Sequence, residues 1–185
     1  MKIDAGEAAA LAAVVQRDLE AIADLEVHAG RLPDSSLSRE QLDSLGFALH
    51  NLYSALDNSF AQISLTFENH VKNQARWHRE LLEKMLLDVP PLRPHVVSPD
   101  GRGLLADLLG FRHLFRHAYD FALDEQKTLT LWRRWQKEGG LVKESLRQFV
   151  QTLNEAAAAG NGETRTSPAR RGTTEHGTKE VISDQ

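Results

Sequence analysis

Eight large apolar residues, Leu42, Leu45, Leu49, Leu52, Leu56, Phe60, Ile63 and Phe67, follow one another in steps of mostly three and four. That spacing places them along one side of an α-helix. The stripe covers about seven turns at 3.6 residues per turn. A helix of that length crosses a whole domain and has to be packed along all of it. Its start is marked by Ser38 as cap, Gln41 three residues on, and Leu37 with Leu42 as a hydrophobic staple. Gly46 falls inside the pattern and weakens it slightly.

The rest of the chain supplies partners of the same kind. Leu11, Val15, Leu19, Ile22 and Leu25 form a stripe on a first helix, which Ala29 to Pro33 ends. Val71 to Val89 reads as a third helix, stopped by Pro90, Pro91 and Pro94, which impose an extended connection. Ser98-Pro99 is a cap followed by proline at the first helical position, and a fourth helix runs from about Arg102. A fifth spans Asp124 to Lys137, Gly139-Gly140 interrupts it, and a last helix carries Val142, Leu146, Phe149 and Leu153. No alternating strand pattern and no internal repeat is visible. The fold expected is all-α, an antiparallel bundle of five to six helices over residues 1–158. Residues 159–185 turn to Gly, Thr, Ser, Arg and Glu and read as a disordered polar tail.

A chain of 185 residues fits one domain, and 41% hydrophobic content is enough to build its core. With no cysteine, disulfides, thiol nucleophiles and cysteine-ligated zinc are excluded. No stretch approaches the roughly 18 apolar residues of a membrane span, so a cytoplasmic protein is expected. The net charge of −4 argues against a broad nucleic-acid surface. Between Gly101 and Gly140, however, seven Lys/Arg face five Asp/Glu, so a nucleic-acid contact would be small and concentrated there.

The chemistry-bearing stretch lies in that region: Arg112-His113-Leu114-Phe115-Arg116-His117-Ala118-Tyr119. On a wheel of about 100° per residue, Arg112, His113, Arg116, His117 and Tyr119 share an arc of roughly 160°. Leu105 and Leu109 fall on the same arc, while Leu104, Phe111, Leu114, Phe115 and Ala118 take the side expected to face the core, with Asp107 fitting poorly there. The apolar lead-in suggests that this face packs on another protein surface. Arg112 and His117 are about 140° apart on a straight helix, so a kink or a two-fold partner would have to complete the site. The residue types suit RNA cleavage without a metal or cofactor. His117 can move a proton near neutral pH, and Arg112 can grip phosphate oxygens. His113 and Arg116 would orient or add charge.

The six residues Arg112 to His117 resemble the Arg-x(4–6)-His signature of the HEPN superfamily. Tyr119 extends the match to Arg-x4-His-x-Tyr, the form of HepT-like ribonuclease toxins. The long helix with Tyr53-Ser54-Ala55-Leu56-Asp57-Asn58, the Leu-rich lead-in and Leu131-Trp132 are similar to that family too. The resemblance implies a homodimeric helical bundle with endoribonuclease activity. It implies Arg112 and His117 as catalytic, His113 as the supporting polar residue, and Asp57 near the cleft. It also implies a minimal nucleotidyltransferase antitoxin that AMPylates Tyr119, which makes the chain the toxin half of a pair.

Blander readings stand beside these. The Arg/His face can be an incidental solvated face. His113 and His117 have the i, i+4 spacing of a metal pair, yet no Glu follows His113 and no third ligand is evident. Trp132-Arg133-Arg134-Trp135 could grip RNA, or bury its tryptophans and leave the arginines in water. His50, His70, His78 and His95 are scattered and read as structural or exposed. The second function class is a non-catalytic helical module that docks a nucleotidyltransferase or other partner.

Overall fold

The computed structural model describes residues 1–68, 77–116 and 122–163. Within them lie five α-helices and no strand: α1 (Ala5–Ala29), α2 (Arg39–Glu68), α3 (Trp77–Met85), α4 (Arg102–Arg116) and α5 (Glu125–Glu163). A 3-10 turn, Pro99–Gly101, leads into α4. The all-α bundle is as the periodicity implies.

The stripe on α2 is the axis of the core. Leu45, Leu49, Leu52, Leu56, Phe60, Ile63 and Phe67 are all buried, and α1, α3, α4 and α5 pack around them. Ser38 and Gln41 close the capping box: Ser38 N donates to Gln41 Oε1 at 2.9 Å, and Gln41 N donates to Ser38 Oγ at 3.2 Å. Buried polar links fix how α1 lies on its neighbours. Asp18 accepts from Asn58 Nδ2 at 2.7 Å and Ser59 Oγ at 2.8 Å on α2. Glu26 accepts from the Trp135 indole at 2.8 Å and pairs with Lys143 at 2.6 Å on α5.

The proline-rich connection is not extended, as its composition suggested, but folds back. Val89 N donates to the Arg93 carbonyl at 2.9 Å, and Val96 N reaches the Met85 carbonyl at 2.8 Å, so that Val96 and Val97 enter the core. The fully buried Arg93 side chain holds the turn. It pairs with Glu68 at 2.5 Å and donates to the carbonyls of Leu87, Pro94 and Lys84. Burial would raise the Glu68 pKa, but the hydrogen bonds from Lys84 and Arg93 overcome that and hold it below the usual carboxylate range. Ser98 caps the 3-10 turn by accepting from Asp100 N, with Pro99 at its start.

Gly139-Gly140 does not break the last helix, contrary to the sequence reading. α5 is one helix of 39 residues. Its buried positions Trp132, Trp135, Gly139, Val142, Leu146, Phe149 and Leu153 keep a strict three-four alternation across the glycines. Gly139 is a member of that seam, because a Cβ there would lie 2.7 Å from the buried Trp135 ring. The helix also runs past residue 158, with Gly160 against Ala5. Residues 164–185 of the expected tail lie outside the described residues.

The two glycines should therefore respond oppositely to alanine. At Gly140, where an added Cβ would meet no described side chain or neighbouring element within 4 Å, Gly140→Ala should stabilise by ~0.5–1 kcal/mol through helix propensity. Gly139→Ala should destabilise by ~1–3 kcal/mol through overpacking. Urea unfolding of both variants checks this, and equal shifts would contradict it.

Candidate functional site

α2 presents His50, Tyr53, Ser54 and Asp57 at helical spacing on one side, and α4 lays Arg112 across them. Two phenylalanines hold α4 in that position. Phe115 sits 5.2 Å from the His50 ring and 5.9 Å from Phe111, centroid to centroid. Gly46 makes the approach possible: a Cβ there would lie 2.8 Å from Phe115 and 2.5 Å from Leu123. The residue that weakens α2 by propensity is where the segments around Arg112 dock.

Arg112 is turned inward. Its Nε donates to Ser54 Oγ at 3.2 Å, and Ser54 in turn donates to the His50 carbonyl at 2.8 Å. Its Nη2 stands 3.4 Å from Asp57 Oδ2, with the Arg112 and Asp57 side chains only 14% and 10% exposed. The guanidinium lies 6.0 Å from the Tyr53 ring centroid. Asp57 uses its second oxygen for His78, whose Nδ1 is 2.9 Å from Oδ1. One carboxylate thus joins α2, α3 and α4. Guanidinium and carboxylate attract by ~4 kcal/mol at an effective dielectric of 20, but their desolvation opposes this. The gain is geometric: the Arg112 head group is fixed, and its Nη1 edge has no bond to a described residue.

This corrects the wheel. Arg112 belongs to the inward stripe with Leu104, Leu105 and Leu108, whereas Leu114, assigned to the core, is exposed. Asp107 is exposed as well and pairs with Arg134. An arginine lies on the inward face because Asp57 and Ser54 meet it there; charge alone marks it for the outside. His113 and Arg116 are exposed on α4. His117 and Tyr119 lie outside the described residues, as does His70.

Trp132 and Trp135 are buried, while Arg133 donates to the Asp34 carbonyl and Arg134 pairs with Glu138 and Asp107. That pair of rings cannot stack on RNA. His50 and His78, read as scattered, both belong to the cluster. The signal that could have found them is spacing: His50, Tyr53, Ser54 and Asp57 repeat at three and four residues, just off the apolar stripe.

The cluster shifts its own titrations. Burial, then the Asp57 charge, pushes the Tyr53 phenol above its ordinary value, so it stays neutral, and its hydroxyl is buried with no hydrogen-bond partner among the described residues. Burial, then the charges of Arg112 and Arg116, lowers the His50 pKa from 6.5. Below 6.5 the unfolded chain therefore binds more protons at this residue than the folded chain. Stability from neutral His50 is present above that pH and declines as pH falls toward the lowered folded value. A residue-resolved NMR titration should place the His50 midpoint below 6.5. In Arg112→Gln that midpoint should rise; an unchanged midpoint would contradict the assignment of Arg112 as a cause.

The family model described as HepT-like protein matches residues 44–153. That is more than half of the chain, and it takes in α2 from Ser44, α3, α4 and most of α5. Searches of curated proteins and of solved structures found no match. Among the described residues no helix is long and apolar enough to cross a membrane. The part of the chain that builds the Asp57–Arg112 cluster is thus the part that the profile recognises, and the chain belongs to the HepT-like family of the HEPN superfamily.

Proposed function

We propose that this protein is a metal-independent endoribonuclease, the toxin half of a HepT-type toxin–antitoxin pair acting in the cytoplasm. The observation that carries the reading is Arg112, held by Ser54 and Asp57 within the matched region. A fixed guanidinium suits a phosphorus centre that gains negative charge as a ribose 2′-oxygen attacks it. Two of its nitrogens are tethered, so it meets the transition state with little reorganisation. His117 takes the 2′-hydroxyl proton in this reading, while His113 and Arg116 add charge from the exposed side of α4. A homodimer would bring two copies of the motif together into one cleft. The cognate minimal nucleotidyltransferase would silence the site by AMPylating Tyr119, adding a phosphate that competes with RNA for Arg112.

The competing reading is a non-catalytic helical module that docks a nucleotidyltransferase. It draws on the low exposure of Arg112, which fits a structural ion pair as well as a phosphate clamp.

Purified protein incubated with mixed-sequence RNA in EDTA should leave 2′,3′-cyclic phosphate ends. His117→Ala and Arg112→Ala should each slow the reaction by ~100-fold or more. Expression of the chain alone should arrest growth, and the nucleotidyltransferase should relieve it. Cleavage by the variants at the wild-type rate would sink the mechanism. Absence of both cleavage and toxicity would favour the docking module.

A further inference from the structure

We infer that His78 is a further catalytic residue of this site, the acid that protonates the departing 5′-oxygen, with Asp57 as its positioning residue. The inference rests on the ribonuclease reading above. In that reaction the 2′-oxygen forms a bond to phosphorus while the bond from phosphorus to O5′ breaks. Two protons move, one off the 2′-hydroxyl and one onto O5′. The Arg-x4-His signature of one protomer accounts for the first and for the charge on phosphorus; for the second, the homodimer proposed above offers the His117 of the other copy, and the protomer's own cluster offers His78.

His78 has the placement that donor needs. It is the second residue of α3, on the same side as the buried Leu81, Leu82 and Met85, so the helix that carries it is anchored in the core. Its Nδ1 meets Asp57 Oδ1 at 2.9 Å, and the other oxygen of that carboxylate is the one that faces Arg112. An ionised carboxylate only accepts, so Nδ1 carries a hydrogen and Nε2 becomes the nitrogen directed away from Asp57. No described residue bonds Nε2, and the side chain is 31% exposed, open enough to meet a substrate.

In its imidazolium form, His78 gives the Nε2 proton to O5′ as that oxygen leaves with the bonding electron pair. The neutral ring keeps Nδ1–H on Asp57 and takes a proton from water before the next turnover. Arg112, on the same carboxylate, stays beside the phosphorus. The step needs no metal, oxidant or co-reactant. Asp57 fixes the distance between the group that neutralises charge and the group that supplies the proton.

The test compares two versions of one short RNA whose cleaved linkage has been mapped with the wild-type protein. One is natural; the other has sulfur in place of the bridging 5′-oxygen. A thiolate departs without being protonated, so a missing acid no longer matters. His78→Asn keeps a donor toward Asp57 but has no proton to transfer, and His78→Gln is run beside it as a second variant. Circular dichroism establishes which of them are folded.

The folded variant should cleave the natural RNA ~100-fold or more slowly, yet cleave the sulfur-bridged RNA within about threefold of wild type. Arg112→Ala should be slow on both. If the His78 variant is slowed alike on both substrates, or on neither, His78 is not the acid, and the ribonuclease reading survives. If the wild-type protein cleaves no RNA, that reading falls and this inference falls with it.

Discussion

The Asp57 carboxylate is the joint on which the site depends. It stands on α2, the helix that organises the core, and reaches Arg112 on α4 and His78 on α3 with separate oxygens. Neither contact is worth much as net stability, since taking a carboxylate and a guanidinium out of water offsets most of their attraction. Removing Asp57 alone would leave Arg112 as an uncompensated charge at 14% exposure. The consequence is position: a guanidinium and an imidazole are held by one carboxylate, on helices anchored in the core.

Small residues let the helices come close enough for this to happen. At Gly46 the α2 backbone is open to Phe115 and Leu123, and Phe115 in turn lies against His50. That docking sets the face α4 turns to α2, and so sets the direction of Arg112. Gly139 makes room within α5 itself, where the ring of Trp135, one turn earlier, occupies the space a side chain would need. Trp135 also donates to Glu26 of α1. Both glycines cost helix propensity locally and return it as packing.

What could be read from the residues followed from how each signal arises. The α2 stripe and the Ser38–Gln41 cap are local patterns, and both stand as read. Gly139 was mistaken for a break because propensity is local, while the alternation linking Trp135 to Val142 spans it. Arg112 was assigned outward because a wheel knows polarity but not partners. Only the fold brings Asp57, many residues away in sequence, to meet it. His78 was illegible for the same reason, since nothing near it in sequence shows that α3 returns beside Asp57. The resemblance carried by Arg112 to Tyr119 led to the family that the profile recognises over residues 44–153.

The central claim, that Asp57 and Arg112 form one structural unit, is open to a direct measurement. In a double-mutant cycle, the unfolding free energies of the wild type, Asp57→Asn, Arg112→Gln and the double variant are compared by urea denaturation. Each single change should destabilise, and the double change should cost less than their sum, giving a coupling of ~1–3 kcal/mol. Strict additivity would contradict the account, because it would mean that the two side chains stand near each other without either depending on the other.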